Sequence, residues 1–391
     1  MDSSAAPIIH AQPSLDLDPH HEVALNTLLK DCSDDQLLAE IARRRLDVNM
    51  NLGEQVVKDL YKFERVLGEG ASGQVHMVRH KKTGVRYAMK VIKKDGGMND
   101  ADSMGTELEI MKVVRHKNIV CLHELFESSS CIWLILELVQ GSDLTTFISS
   151  MKHYSESLVA PLFAQILRGV HYLHSQGIVH RDLKLDNIML HGDVESEGAL
   201  VKLVDFGLSA FIREKSYPEE SSKRKNYRGL KEMWGTATYF APELIDGAYG
   251  PQADVWSLGC ILYEMLSGLH PFHGKDDHAL YSHIKSGFVD THSPPWDEIS
   301  AEAKDLVKKL LTVDPVERIS CTEALGHPWL TGACHNAAHQ AHIGSAHQRI
   351  VSKSSVKMPP PPPATSGEGC GKHPRKSIWS FLTHRTSLPQ L

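Results

Sequence analysis

The chain has 391 residues and a net charge of −6, with 41% apolar and 23% charged residues. That balance excludes a largely disordered or collagen-like chain, and its sign supplies no overall positive field for nucleic acid or a membrane surface. One large two-lobed domain with flanking arms accounts for the length, so no second folded domain is required. The seven cysteines are odd in number, scattered, and contain no C-x-x-C pair, which predicts a reducing compartment, cytoplasmic or nuclear. The first residues lack the basic start and apolar run of a signal peptide, and Met1-Asp2 lacks the glycine that myristoylation needs. Neither secretion nor N-terminal acylation is therefore expected. The longest apolar stretch, Ile132 to Val139, is interrupted by Glu137; it is far short of the ~20 residues of a membrane span and suits a buried strand.

Residues 1–60 read as an arm. Within it Ser33-Asp34-Asp35-Gln36 fits a capping box, Leu37, Leu38, Ile41 and Ala42 share a helical face, and Arg43, Arg44 and Arg45 close the helix where its dipole favours cations. That face would pack on the chain's own surface or dock to another protein. Residues 61–330 read as a compact domain. Alternating segments from Phe63 to Val66, Val75 to Arg79 and Val85 to Ile92 predict antiparallel strands, and helical periodicities follow in Leu158 to His174, Asp254 to Leu266 and Ala301 to Leu311. Residues 331–391 form a His-, Pro- and Ser-rich tail with a polyproline run, Pro359 to Pro363. His335, His339 and His342 could share a helix face there, but solvated histidines are the plainer reading and no metal is assigned to them.

Gly68-Glu69-Gly70-Ala71-Ser72-Gly73-Gln74-Val75 falls between two predicted strands, so a dinucleotide fingerprint does not fit. A phosphate-covering hairpin does, because backbone N–H groups reach phosphate oxygens only where no side chain intervenes. A hairpin that merely turns is the plainer reading of the segment alone. Lys90 lies on a following strand and would bring a positive charge under that hairpin. Burying it requires a counter-charge, and Glu107, opening the amphipathic stretch Glu107 to Arg115, is expected ahead of Glu109. His180-Arg181-Asp182-Leu183-Lys184-Leu185-Asp186-Asn187 concentrates polar groups in a loop flanked by apolar residues, which packing does not explain. There Asp182 would accept or orient the proton of an incoming hydroxyl, Lys184 would neutralise charge on a moving phosphoryl group, and Asn187 would offer a neutral oxygen to magnesium. Asp205, in Asp205-Phe206-Gly207, would be the anionic magnesium ligand.

In order and spacing these segments resemble the protein kinase signature over roughly residues 61–330, together with Ala241-Pro242-Glu243, Asp254 to Gly259, and Arg318. The resemblance implies an α+β bilobal fold: a small antiparallel β-sheet lobe with one key helix, then a larger, mainly helical lobe. It implies ATP and Mg2+ as cofactors, with Leu67 to Val75, Ala88, Lys90, Glu137, Val139 and Met189 holding the nucleotide and Leu136 behind them. Asn187 and Asp205 would hold the metal; Asp182, Lys184, Lys90, Glu107 and Thr236 would form the catalytic set. Glu137 and Val139 would bond adenine through their backbones, Glu243 would pair with Arg318, and Asp254 would hold the catalytic loop. From Leu134-Ile135-Leu136-Glu137-Leu138-Val139 through His327-Pro328-Trp329 the chain looks like the calcium/calmodulin-dependent group of serine/threonine kinases, and Lys184 is the serine/threonine form of the loop. By that resemblance Asp143, Asp186 and Glu264 would read basic residues upstream of the phosphoacceptor.

Two departures stand out. The segment from Asp205 to Glu243 is long, with a polar and basic stretch at Tyr217 to Arg228, read as a surface loop. Glu232 stands where many relatives carry an activating phosphothreonine; it would pair with Arg181 and support partial constitutive activity, or be a plain solvated acid. No EF-hand loop is present. The basic, aromatic stretch Lys372 to Arg385 would bind calmodulin, dock to a membrane or protein, or be inert. Protein substrates, a monomer, no nucleic acid and no membrane span are expected. A pseudokinase would have lost Lys90, Asp182, Asn187 or Asp205, and all four are present; a scaffold role would survive loss of Asp182.

Overall fold

The computed structural model describes residues 54–70, 73–94, 98–150, 155–192, 199–212, 233, 235–247 and 249–332. The expected helix near 34–45, Ala71, Ser72, the loop 217–228, Glu232, the tail histidines and the segment 372–385 lie outside the described residues.

Two lobes are present, as the pattern of strands followed by helices implies. The first is an antiparallel sheet of β1 (Tyr61–Gly70), β2 (Gly73–His80), β3 (Arg86–Lys93), β4 (Leu122–Glu127) and β5 (Cys131–Glu137) in the order β1-β2-β3-β5-β4. Successive side chains of a strand point to opposite faces, and here each face meets its own core. From β3, Ala88 and Ile92 join the main core while Met89 joins a second cluster with Val78, Phe126, Trp133 and Ile135 on the outer face. Lys90 shares the parity of Ala88 and Ile92, so the strand turns it toward the interlobe side.

Helix α1 (Glu54–Leu60) covers the outer cluster with Val57, 1% exposed. Sequence reading leaves these residues in the arm; burial of Val57 ties them to the sheet. Helix α2 (Met98–Val113) carries Glu107, Ile110 and Met111 against the inner face.

The second lobe is built on α3 (Leu144–Ser150), α4 (Glu156–Ser175), α5 (Pro242–Ile245), α6 (Gln252–Ser267), α7 (Asp277–Ser286), α8 (Ala301–Leu310), α9 (Cys321–Leu325) and α10 (Pro328–Thr331). Helix α6 is buried almost all round, as a helix with no polar stripe must be. Short strands β6 (Ile178–Val179), β7 (Ile188–His191), β8 (Leu200–Leu203) and β9 (Ala210–Phe211) pair as β6-β9 and β7-β8. They hold the intervening loops at the lobe boundary. Buried Glu156 pins the lower end: it accepts from Ser300 N and Oγ and from Trp329 Nε1, each at 2.7 Å. With three donors the carboxylate is satisfied away from water, so it joins three helices at little desolvation cost. Among the described residues no helix is long and apolar enough to cross a membrane.

Candidate active site

The loop between β6 and β7 is held from below. Asp254, on the buried helix α6, accepts from His180 N at 2.8 Å and Arg181 N at 2.9 Å. Arg181 has φ 69°, a left-handed conformation costly for a non-glycine residue, and these bonds offset part of that cost. Arg181 Nε also donates to Leu208 O. His174 Nε2 donates to Asp254 Oδ2 at 2.9 Å, and Cys321 Sγ lies 3.7 Å from His174 Nδ1. Burial alone would push the His174 imidazole down, but Asp254 and Cys321 overrule it and hold it up, at about 10. Burial also opposes ionisation of Asp254, yet the hydrogen bond and charge of His174 keep its carboxyl below the ordinary range.

At the top of this support four side chains converge. Lys184 Nζ lies 3.0 Å from Asp182 Oδ2 and 2.9 Å from Thr236 Oγ1, and Thr236 Oγ1 donates to Asp182 Oδ1 at 3.1 Å. Asn187 Nδ2 donates to Asp182 O at 2.7 Å and to Asp182 Oδ2 at 3.0 Å. Burial pushes the Asp182 carboxyl up and Asp205 adds to this, while Lys184 pulls it back. The outcome is a carboxylate more basic than an exposed one, as proton acceptance requires. Thr236 reaches the loop because Gly235 precedes it: at φ 114° a side chain there is strained, and its Cβ would stand 2.6 Å from Arg181 O.

Above them, Lys90 Nζ contacts Glu107 Oε1 at 2.5 Å and Asp205 Oδ1 at 3.6 Å. Burial works against the ammonium, but Glu107 and Asp205 outweigh it and keep the lysine charged. Glu109, the alternative partner, pairs instead with Lys112 at 3.3 Å. Asp205 has φ 63° and accepts from Gly207 N at 3.3 Å, while Phe206 is buried against His180.

The carboxylate at 205 and the amide at 187 are hard oxygen donors, the type magnesium takes. The amide nitrogen of Asn187 donates to Asp182, and the oxygen is the atom of that amide able to face a cation. Among the described residues no group of three or more His, Cys, Asp or Glu forms a self-contained metal cage. A carboxylate and an amide still fit an ion that draws its remaining ligands from phosphates and water.

The apolar positions named for the nucleotide base belong to one cluster: Val75, Ala88, Leu136, Val139 and Met189, with Leu67 packed against it. Register explains the assembly, since Ala88 pairs with Leu136 across β3 and β5 and Met189 pairs with Lys202 across β7 and β8. Gly70 pairs with Gly73 at the hairpin, beside Gly68 opposite Val75 and Glu69 opposite Gln74. Gly73, at φ 129°, lies so close to Val91 O that a Cβ would meet it at 2.0 Å, so this glycine serves sheet packing as well as the hairpin.

Motif reading did not single out three positions. Lys202 Nζ pairs with the hinge carboxylate Glu137 at 2.8 Å. His174 braces Asp254, and His270 Nε2 lies 2.9 Å from Glu264 Oε1. Lys202 and His174 depend on partners 65 and 80 positions away, His270 meets Glu264 only because the chain turns back at Gly268, and no local pattern marks any of them. The implied Glu243–Arg318 pair is present and bidentate, at 2.6 and 2.9 Å.

Comparison with known proteins places this geometry. The model of the protein kinase domain matches residues 61–330. Calcium-dependent protein kinase 1 of Oryza sativa subsp. japonica is 40% identical over 277 residues, 70% of this chain and 51% of the relative. Human calcium/calmodulin-dependent protein kinase type IV is 38% identical over 296 residues, 75% of this chain and 58% of the relative. Calcium/calmodulin-dependent protein kinase type 1 of Macrobrachium nipponense is 36% identical over 303 residues, 77% of this chain and 83% of the relative. The chain thus spans about half the length of the rice relative.

Proposed function

The chain belongs to the protein kinase family, and from that premise we propose that it is a serine/threonine kinase, transferring the γ-phosphate of ATP to hydroxyls of protein substrates. The observation that carries this reading is the convergence of Asp182, Lys184, Thr236 and Asn187 within hydrogen-bond distance of one another. The acceptor hydroxyl gives its proton toward Asp182 as its oxygen bonds to phosphorus and the bond to ADP breaks. Lys184 faces the charge that develops on the group in transfer, and Thr236 holds Lys184 and Asp182 in register. Lys90, fixed by Glu107, is placed to bind the phosphates that do not move. Asn187 and Asp205 would hold Mg2+, which supplies further charge neutralisation when bound.

A preference for basic residues before the acceptor belongs to the same proposal, on the strength of Asp143, Asp186 and Glu264. Asp143 is buried and caps α3, accepting from Thr146 N at 2.6 Å; burial and then Asp186 act to raise its carboxyl, although the Thr146 bond opposes them. Residence in the reducing cytoplasm or nucleus rests on the cysteine pattern. If the chain shares the input that its relatives' names carry, the segment 372–385 is where calmodulin would act, and a pull-down with and without calcium decides it. The main reading is tested by incubating the full chain with ATP, magnesium and a degenerate peptide array. Phosphate should appear on serine or threonine, and Asp182→Asn should lower the rate at least about a hundredfold. Equal rates for the two proteins would overturn the assignment.

A further inference from the structure

Glu264 lies on α6 with both carboxylate oxygens engaged. Tyr239 OH donates to Oε2 at 2.5 Å, and His270 Nε2 stands 2.9 Å from Oε1. Tyr239 also lines the small cavity beside the reaction centre, together with Arg181, Asp182, Thr236 and Phe240. Glu264 therefore stands one side chain away from where an acceptor residue must lie. Its surroundings are acidic. Burial first, then the charges of Glu264 and Asp186, push the Tyr239 phenol far up, so Asp186 acts on the same place from the catalytic loop. Helix α3, which Asp143 caps, packs on the turn that carries Asp186. A cationic side chain approaching Tyr239 would meet this field, and its natural anchor is Glu264.

His270 occupies that anchor. Gly268 ends α6 in the left-handed conformation, at φ 70°, and turns the chain back so that the imidazole meets the Tyr239 ring edge-on, 4.7 Å between centroids and 75° between planes. The ring is weakly fastened. Its Nδ1 is buried and finds no hydrogen-bond partner among the described residues, a desolvation cost that offsets much of what the Glu264 contact contributes. An arriving guanidinium would make a charge-assisted, two-pronged bond to Glu264 and let the imidazole swing out to hydrate Nδ1. The side chain is already 28% exposed, so a path outward exists.

We propose that His270 is a specificity-determining residue: a displaceable plug on Glu264 that a basic substrate side chain must exchange with, which sets how strongly the enzyme favours such substrates. The inference rests on the basic-residue preference proposed above. The test is steady-state kinetics of the full chain on matched peptides, one set with arginine at successive positions before the acceptor and one with alanine there. The readout is the ratio of kcat/KM between the sets, which cancels any loss of folded enzyme. His270→Ala should raise the arginine-to-alanine ratio roughly tenfold, the scale of one charge-assisted hydrogen bond, with the change in KM for the arginine peptide. His270→Lys, which gives Glu264 a permanent cation, should bring the ratio toward one. A ratio that is above one in the wild type and untouched by either substitution sinks the plug but leaves the basic preference standing. A ratio of one in all three proteins sinks both. A preference that emerges only in His270→Ala supports the plug and shows that it masks the preference.

Discussion

Two ion pairs of nearly equal length do opposite kinds of work. Arg318 in the helical lobe has all five of its N–H donors engaged: two on Glu243, and the rest on the carbonyls of Gln252, Val313 and Thr312, with its guanidinium over the Trp256 ring at 5.1 Å. Lys90 in the sheet lobe has a close contact with Glu107 and a longer one with Asp205. The first arrangement is over-determined, and loss of any one contact leaves four. The second is under-determined, joining one strand to one helix and to the Asp205-Phe206-Gly207 loop, which suits the phosphate-binding role proposed for it. A buried charge saturated by its own protein is a rivet; one left partly satisfied by its own protein is a binding group.

Breaking each pair should separate the two roles. Arg318→Ala leaves Glu243 and three partly buried carbonyls without their donor, and should cost about 3–5 kcal/mol of stability, read as a lower midpoint in urea unfolding. The activity of the molecules that remain folded should stay close to wild type. A midpoint equal to wild type would mean that the pair contributes nothing. Lys90→Met should act the other way, lowering kcat/KM for ATP at least about a hundredfold, or roughly 2.7 kcal/mol of transition-state stabilisation, with a smaller fall in unfolding midpoint. A variant that turns over ATP normally would remove Lys90 from the phosphate site.

The third prediction sharpens the comparison by titration, because His174–Asp254 is a rivet that pH can reach. The folded imidazole is held at about 10, above its unfolded value of about 6.5. Its contribution is therefore full below about 6.5 and is lost as pH rises from about 6.5 to about 10. Asp254, held below its ordinary value, contributes in the other sense, its share being lost only in acid. Unfolding free energy measured at several pH values should fall toward alkaline pH in the wild type. The gap between wild type and His174→Gln should narrow along the same series, and a constant gap would show that the pair does not titrate as described.

Much of this site was readable before any coordinates. Asp182, Lys184, Asn187 and Asp205 sit in short segments whose composition has no packing rationale, so chemistry is the remaining explanation, and their order along the chain fits one fold. Glu107 was legible ahead of Glu109 because a buried ammonium needs a counter-charge and Glu107 opens the amphipathic stretch that follows the strand. The braces were not readable. Cys321 and His174 are 147 positions apart, and Lys202 and Glu137 are 65 apart; each is an ordinary residue in an ordinary element until packing brings its partner to it. The helix Glu54–Leu60 was hidden for a related reason, since only contact with the outer face of the sheet gives Val57 something to bury against.

Local chemistry and periodicity thus determined which residues hold charge, which segments are strands or helices, and which family the pattern fits, because those properties repeat over a few residues. Tertiary structure alone decided what several of those charges rest on: that His174 braces Asp254 and that Lys202 pairs with Glu137. The reason is physical. A hydrogen bond or ion pair takes its strength from distance and from the water excluded around it, and neither exists until segments far apart in the chain have folded against each other.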